Sequence, residues 1–158
     1  MPQNYVLPAN GILINGVPLR HEWTAAPGSA ILPGDIVEFN TGYCADGEAK
    51  IMECAANSEF ALGVAICHPL RTRTEAYDAG DDVRVLSGTI VFAGRLAAGN
   101  TITCGENLKP ATSGELTELD CEAGTTDPAE NACLRVAQAL NSYSSLTVFQ
   151  WCICKMHI

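Results

Sequence analysis

Two short stretches of the sequence carry side chains that could hold a metal ion. The first, Cys152-Ile153-Cys154-Lys155-Met156-His157, has cysteines at alternate positions, so a strand here would place both thiols on one face. Structural zinc sites use ligand pairs about two to four residues apart on turns, and no second pair completes a tetrahedron in this sequence. We therefore predict no metal here and expect the thiols to pack as small apolar groups.

The second stretch is acidic, with Asp78, Asp81 and Asp82 around Gly80. Carboxylate oxygens are the ligands that calcium prefers, but the loop pattern of a helix-loop-helix calcium site is missing. Asp and Gly ahead of a strand are the residues that a tight turn requires. The sequence thus predicts a turn here and no cation site.

The remaining reactive residues form no recognisable catalytic pattern. His21, His68 and His157 lie in unrelated contexts. Signatures of nucleophile-elbow hydrolases, phosphate-binding loops, dinucleotide-binding loops and zinc proteases are missing from the sequence. We predict that the protein is not an enzyme, has no catalytic residues and uses no cofactor.

The composition of the chain limits the kinds of partner that the protein is expected to bind. The 158 residues include 18 acidic and 9 basic ones, and without a basic cluster we expect no nucleic-acid partner. The N-terminus does not have the pattern of a secretory signal, and no window approaches the roughly 18 apolar residues that a membrane span needs. We expect synthesis in the cytoplasm and no membrane partner. In that compartment the 8 cysteines are expected as buried thiols, with disulfides as the alternative.

The placement of glycine and proline along the chain predicts an all-β protein of short strands. Its 14 glycines and 8 prolines separate apolar runs of four to seven residues. Turn-led strands are predicted at Pro33-Gly34-Asp35-Ile36-Val37-Glu38-Phe39 and at Gly80-Asp81-Asp82-Val83-Arg84-Val85, with further strands at residues 49–54, 60–66 and 89–94.

Residues 1–30 are predicted to form an extended N-terminal arm, and residues 31–158 a compact β-barrel or β-tulip-like domain. Pro2, Pro8, Pro18 and Pro27 exclude a long helix from the first part. Within it, the run at residues 11–16 is apolar and bounded by glycines. This pattern predicts either the first strand of the domain or a segment that pairs with a neighbouring sheet.

The second half of the chain repeats the order of elements in the first half. Ala98-Gly99-Asn100-Thr101-Ile102 matches the turn and strand that start at Pro33, Leu134-Arg135-Val136-Ala137 matches Leu62-Gly63-Val64-Ala65, and residues 146–151 match the strand at Val83. These matches predict two sets of strands closing on one core, with chance likeness among glycine-rich strands as the alternative.

One stretch of the second half gives conflicting signals. Asp127-Pro128-Ala129-Glu130 is a good helix start, yet the repeat places a strand just after it. We predict a strand over about residues 132–139 after at most one helical turn, and a helix is the alternative.

Three phrases in order resemble the capsid decoration, or cement, proteins of tailed bacteriophages. They are Leu32-Pro33-Gly34-Asp35-Ile36-Val37, Ala61-Leu62-Gly63-Val64-Ala65 and Ala79-Gly80-Asp81-Asp82-Val83-Arg84-Val85. The resemblance spans residues 31 to about 154 and transfers no catalytic residue. It implies a compact β-barrel body with an N-terminal arm, attached to the major capsid protein on the capsid exterior of the virion. The oligomer it implies is a homotrimer, and a dimer is the alternative.

A cement protein that bridges several shell subunits stabilises only the intact shell, and linked contacts add to a tight attachment. We predict that Ile12, Leu13, Ile14 and Leu19 bind the capsid. Another phage component, such as a head-fibre base or a tail-tube or adaptor protein, is the alternative function. A small β-domain enzyme module is the remote alternative, although Lys50, Lys109 and Lys155 have no serine partner motif.

Overall fold

A computed structural model describes residues 11–45, 47–68, 72–119, 134–144 and 150–158 of the chain. In these residues the secondary structure is mainly short strands, with a short helix, a helical residue at Leu134 and a 3-10 turn. In chain order the elements are β1 (Leu13–Gly16), β2 (Leu19–Ala25), β3 (Ile36–Phe39), α1 (Thr41–Ala45), β4 (Lys50–Glu53), β5 (Ala61–Ala65), β6 (Asp82–Ser87), β7 (Ile90–Leu96), β8 (Thr101–Ile102), β9 (Asn107–Pro110), a 3-10 turn (Thr112–Gly114), β10 (Leu116–Glu118), β11 (Ala137–Ala139), β12 (Tyr143–Ser144) and β13 (Gln150–Met156).

The strands close into two small barrels. Around the N-terminal barrel the order is β2, β4, β3, β5 and β6, and around the C-terminal barrel it is β7, β10, β9, β11 and β13. In each barrel the first pair of strands is parallel, and the other pairs are antiparallel. Strand β1 pairs with β7 beside the C-terminal barrel, and β8 pairs with β12 as a separate ribbon.

The two barrels are copies of one topology, down to single hydrogen bonds. Where the first strand meets the parallel one, Ala26 N donates to Ile51 O at 2.8 Å and Ala97 N donates to Leu116 O at 2.9 Å. At the turn before the second strand, the amide nitrogens of Gly34 and Gly105 donate to the carbonyls of Ala65 and Ala139 at 2.8 and 2.9 Å. The shared strand order and these matched hydrogen bonds show that the chain contains a structural duplication.

The same kind of four-residue turn precedes three strands, β3, β6 and β9. The turns are residues 32–35, 78–81 and 103–106, and in each the third residue is a glycine with φ between +88° and +94°. The fourth residue donates its N–H to the carbonyl of the first, and its carboxylate accepts the first residue's N–H, at 2.7 to 3.1 Å. Glycine is needed because the third position of this turn type has positive φ, and the carboxylate pairs an otherwise open donor.

Each barrel has a packed interior, and the N-terminal barrel is also buried on one outer face. Its interior contains the buried residues Ala25, Ile31, Val37, Ile51, Ala65, Tyr77, Val83 and Val85. Ile36, Val64 and Leu86 are the sequence neighbours of the interior residues Val37, Ala65 and Val85. Their side chains belong to a second core, which also contains the interior residues of the C-terminal barrel. Successive residues of a strand point to opposite faces, so β3, β5 and β6 are covered on both sides. This shared core joins the two barrels.

The prediction of an all-β barrel fold of short strands is confirmed, and the structure corrects how the chain is divided. Residues 11–30 are not a free arm, because β1 and β2 pair with β7 and β6 in the body. Residues 1–10 lie outside the described residues. The repeated halves close on two interiors instead of one core.

The register of the repeat also differs from the prediction. Gly34 is matched by Gly105 and not by Gly99, and Ala65 is matched by Ala139 and not by Ala137, because these pairs share hydrogen-bond partners. Of the strand predicted over residues 132–139, only Ala137–Ala139 is a strand in the described residues, and Leu134 is helical, as the alternative predicted. The competing helix start at residues 127–130 lies outside the described residues.

Candidate functional site

The two C-terminal cysteines share one face of β13, as predicted. Cys152 and Cys154 are fully buried, with their sulfurs 3.2 Å apart. Burial raises the pKa of the Cys154 thiol well above its usual range, so this thiol is a poor nucleophile. In the part of the chain that the structure describes, no group of three or more His, Cys, Asp or Glu side chains could hold a metal ion.

The acidic stretch forms the predicted turn. The carboxylate of Asp81 accepts the N–H of Asp78 at 2.9 Å, and Gly80 N donates to Ala25 O at 3.0 Å. The turn therefore fixes the start of β6 against the end of β2.

The four residues predicted to bind the capsid lie in different environments. Ile12 is 2% exposed and belongs to the core between the barrels, so its side chain cannot face a partner. Leu13 and Ile14 are half-buried in β1. Leu19, at the start of β2, is 63% exposed. Of the four, Leu19 offers the largest free apolar surface.

Two further apolar side chains are exposed at the same end of the N-terminal barrel as Leu19. Val17 is 91% exposed and Phe60 is 71% exposed. Strands β2 and β5 both run antiparallel to β6, with Leu19 opposite Ser87 and Val64 opposite Leu86. Val17, Leu19 and Phe60 therefore lie at the same end of the N-terminal barrel, and we call them the apolar end patch. Sequence reasoning did not single out Val17, which lies just outside a predicted strand, or Phe60, because strand periodicity does not tell how exposed the first residue of a predicted strand is.

An ion pair is buried where the two barrels meet. Arg95 of β7 donates from Nη1 to Asp35 Oδ1 at 2.6 Å and from Nη2 to Glu115 Oε1 at 3.0 Å. Burial outweighs the attraction of Arg95 and raises the pKa of Asp35 to about 7. Arg95 thus links Asp35, in the turn before β3 of the N-terminal barrel, to Glu115, just before β10 of the C-terminal barrel. A charged residue inside the otherwise apolar run Ile90–Leu96 was the sequence signal for this contact.

Trp151 packs over the same junction. A Cβ added to Gly34 would lie 2.4 Å from Trp151 Cζ3, which shows that the indole lies directly on this glycine. The guanidinium of Arg73 lies 4.5 Å from the centre of the indole ring, within the range of a cation–π contact. Gly34, Arg95 and Trp151 therefore form one packed contact between the barrels.

A shallow groove of about 430 Å³ runs beside β2. Its lining residues are Arg20, His21, Glu22, Ile66, Arg84 and Leu86. Arg84 Nε lies 3.0 Å from Glu22 Oε1 in an exposed ion pair. The groove therefore holds charged groups of both signs on β2 and β6.

Comparison with known proteins gives one kind of match. No family model matches the chain, and no curated protein matches it either. Among solved structures, the chain is similar to the base of the head fibre gp8.5 of bacteriophage phi29, with a TM-score of 0.52 and 19% identity. The match covers 88% of this chain and 95% of that one. The two proteins therefore share a fold over nearly their whole described lengths. Among the described residues, no helix is long and apolar enough to cross a membrane.

Proposed function

We propose that the protein is a non-enzymatic structural component of a bacteriophage head that binds the outer surface of the capsid. The observation that carries this proposal is the fold shared with the phi29 head-fibre base across 88% of the chain. The phrases that resemble decoration proteins lead to the same class of virion protein from the sequence side. A fold alone does not fix a function, so the capsid contact needs its own argument.

The apolar end patch is the proposed capsid contact. Val17, Leu19 and Phe60 have more than half of their surface exposed at one end of a barrel. Exposed apolar side chains grouped in this way are typical of a protein-binding surface. Leu13 and Ile14 contribute their exposed parts in β1, and Leu19 contributes the part of its side chain that a contact between copies of the chain leaves exposed. Ile12 acts from the core by holding β1 against β7.

The proposed role of the bound protein is to cement the shell by bridging neighbouring subunits of the major capsid protein. A protein that binds only the assembled lattice stabilises that lattice by mass action. A homo-oligomer would engage several subunits at once, and each attachment after the first would be intramolecular.

The test is binding of the purified protein to expanded capsids that lack it, followed by sedimentation. Val17→Asp and Phe60→Asp should each reduce the bound fraction, because a carboxylate would have to be buried in an apolar contact. Ala98→Asp is the matched control, since it adds the same charge at an exposed turn of the C-terminal barrel. Equal binding by all the variants would contradict the proposed contact.

The base of a head fibre is the second candidate, and the phi29 likeness favours it directly. A fibre base would bind the same kind of shell but need not stabilise it. Measuring shell stability with and without the bound protein therefore separates the two roles.

A further inference from the structure

The duplication exposes a difference between the two barrels at one strand edge. Strand β7 carries β1 on the edge that faces away from β13, where Ala93 N donates to Ile12 O at 2.7 Å and Asn15 pairs with Val91. The matching strand of the N-terminal barrel is β2, in which Glu22 and Arg20 take the places of Ala93 and Val91. The fold therefore has a strand-accepting edge at this position.

That edge of β2 is open in the described residues. Ala25 N donates to Asp81 O at 2.8 Å, so the alternation of an antiparallel pair directs His21 and Trp23 to β6 as well. The backbone N–H and C=O groups of Arg20 and Glu22 then point away from β6. No described residue pairs with them, because β4 reaches only Thr24 and Ala25.

An open edge is a template for another strand, and proteins that avoid pairing protect such edges with proline, bulges or charged side chains. Charged side chains oppose pairing when they face like charges on the incoming strand and favour it when they face opposite charges. Strand β2, Leu19–Ala25, has the sequence LRHEWTA, without proline or glycine. Its outward charges at Arg20 and Glu22 are of opposite sign. This edge is therefore suited to pairing instead of being blocked.

We propose that β2 pairs antiparallel with β2 of a second copy of the chain, about a twofold axis at His21. In this register Arg20 and Glu22 of one copy exchange backbone hydrogen bonds with Glu22 and Arg20 of the other. The same register sets each arginine opposite a glutamate. Registers centred on Arg20 or on Glu22 would instead oppose like charges, which is destabilising.

The apolar side chains fit the same register. Leu19, which is 63% exposed, falls opposite Trp23 of the second copy on the face that also holds His21. Trp23 is held in place by an edge-to-face contact with Phe39 at 4.8 Å between ring centres. The edge is thus self-complementary in backbone, charge and apolar contact, as a twofold interface requires.

This inference deepens the proposed function by naming the contact between copies, and it rests on that proposal only for the existence of an oligomer. It selects the dimer over the trimer that the family resemblance implies. Its test uses purified protein without capsids, so its failure is distinct from a failure to bind the shell.

The decisive experiment is a charge exchange followed by sedimentation velocity over a range of concentrations. Arg20→Glu and Glu22→Arg should each weaken the homodimer roughly tenfold or more, because both charge pairs become repulsive. An equimolar mixture of the two variants should dimerise again, since each arginine then faces a glutamate. Arg135→Glu is the matched control for a charge reversal outside the edge and should leave the dimer unchanged.

Amide hydrogen exchange gives a second measurement that does not depend on the variants. The amides of Arg20 and Glu22 should become protected as concentration rises, whereas those of His21 and Trp23 should be protected at every concentration. The proposal is overturned by a monomer at all concentrations, by a trimer, or by a mixture that does not dimerise. A chain that dimerises only after deletion of residues 2–10 would also overturn it, because its own N-terminus would then be the occupant of the edge.

Discussion

Replacing Gly34 by alanine tests the contact between the barrels with a control supplied by the duplication. The new Cβ has two costs. The φ of +93° is unfavourable for any residue with a Cβ, by about 1–2 kcal/mol. The Cβ would also lie 2.4 Å from Trp151 Cζ3 and 3.2 Å from Arg95 Cγ, and such overpacking costs about 1–3 kcal/mol. We expect Gly34→Ala to lower the free energy of unfolding by about 2–5 kcal/mol.

Gly105 is the matched control, because it occupies the same turn of the C-terminal barrel with φ of +94° and no neighbour within 4 Å of a Cβ. Gly105→Ala should therefore cost only about 1–2 kcal/mol. Urea unfolding of both variants measures the difference. The excess at Gly34 should shrink in a Trp151→Ala background, as a double-mutant cycle would show. Equal costs at the two glycines would refute the packing of Trp151 on this turn.

Four more predictions concern buried or half-buried polar groups and thiols. The pKa of Asp35 is about 7 in the folded protein, above its ordinary value of 3.8. At pH values between these two numbers, unfolding therefore releases a proton. Its contribution to stability therefore falls as pH rises from about 4 to 7 and levels off above, and Asp35→Asn should flatten that slope in urea unfolding at several pH values. Tyr77→Phe should lower the free energy of unfolding by about 1 kcal/mol, and Tyr143→Phe by about 1–3 kcal/mol because it leaves a backbone N–H without its acceptor, as thermal unfolding can measure. Cys152 and Cys154 should be alkylated only after unfolding, and mass spectrometry showing rapid labelling in the native protein would contradict their burial.

Local features of the fold were predictable from the sequence because their causes are local. A glycine followed by an acidic residue predicts the turns at residues 32–35 and 78–81, since one residue supplies positive φ and the next supplies the carboxylate acceptor. Alternating apolar residues then predict β3 and β6. The placement of Cys152 and Cys154 on one face follows from strand periodicity alone.

The duplication was visible in the order of elements but not in its register. Cys104 replaces Pro33 in the matching turn, so the stronger local likeness at Gly99 led to the wrong alignment. Hydrogen-bond partners far apart in the sequence fix the true register. Gly34 and Gly105 are equivalent because they donate to Ala65 and Ala139.

Long-range pairing explains the other departures from the predictions. The choice between a free arm and a strand at residues 11–16 depends on β7, which lies more than seventy residues away, and no local pattern reports it. The burial of Ile12 and the exposure of Leu19 follow from that pairing. The residues predicted from apolar character alone to bind the capsid therefore included one core residue, Ile12, and left out the exposed Val17 and Phe60.

The most direct test of the proposed cement function is the heat and low-salt resistance of DNA-filled capsids purified with and without the protein. On heating, capsids that lack the protein should release DNA at a lower temperature than complete ones. When the ionic strength is lowered, they should release DNA while it is still higher than the value at which complete capsids fail. Adding the purified protein should restore both kinds of resistance. Capsids that are equally resistant with and without the bound protein would contradict the cement role and favour a head-fibre base.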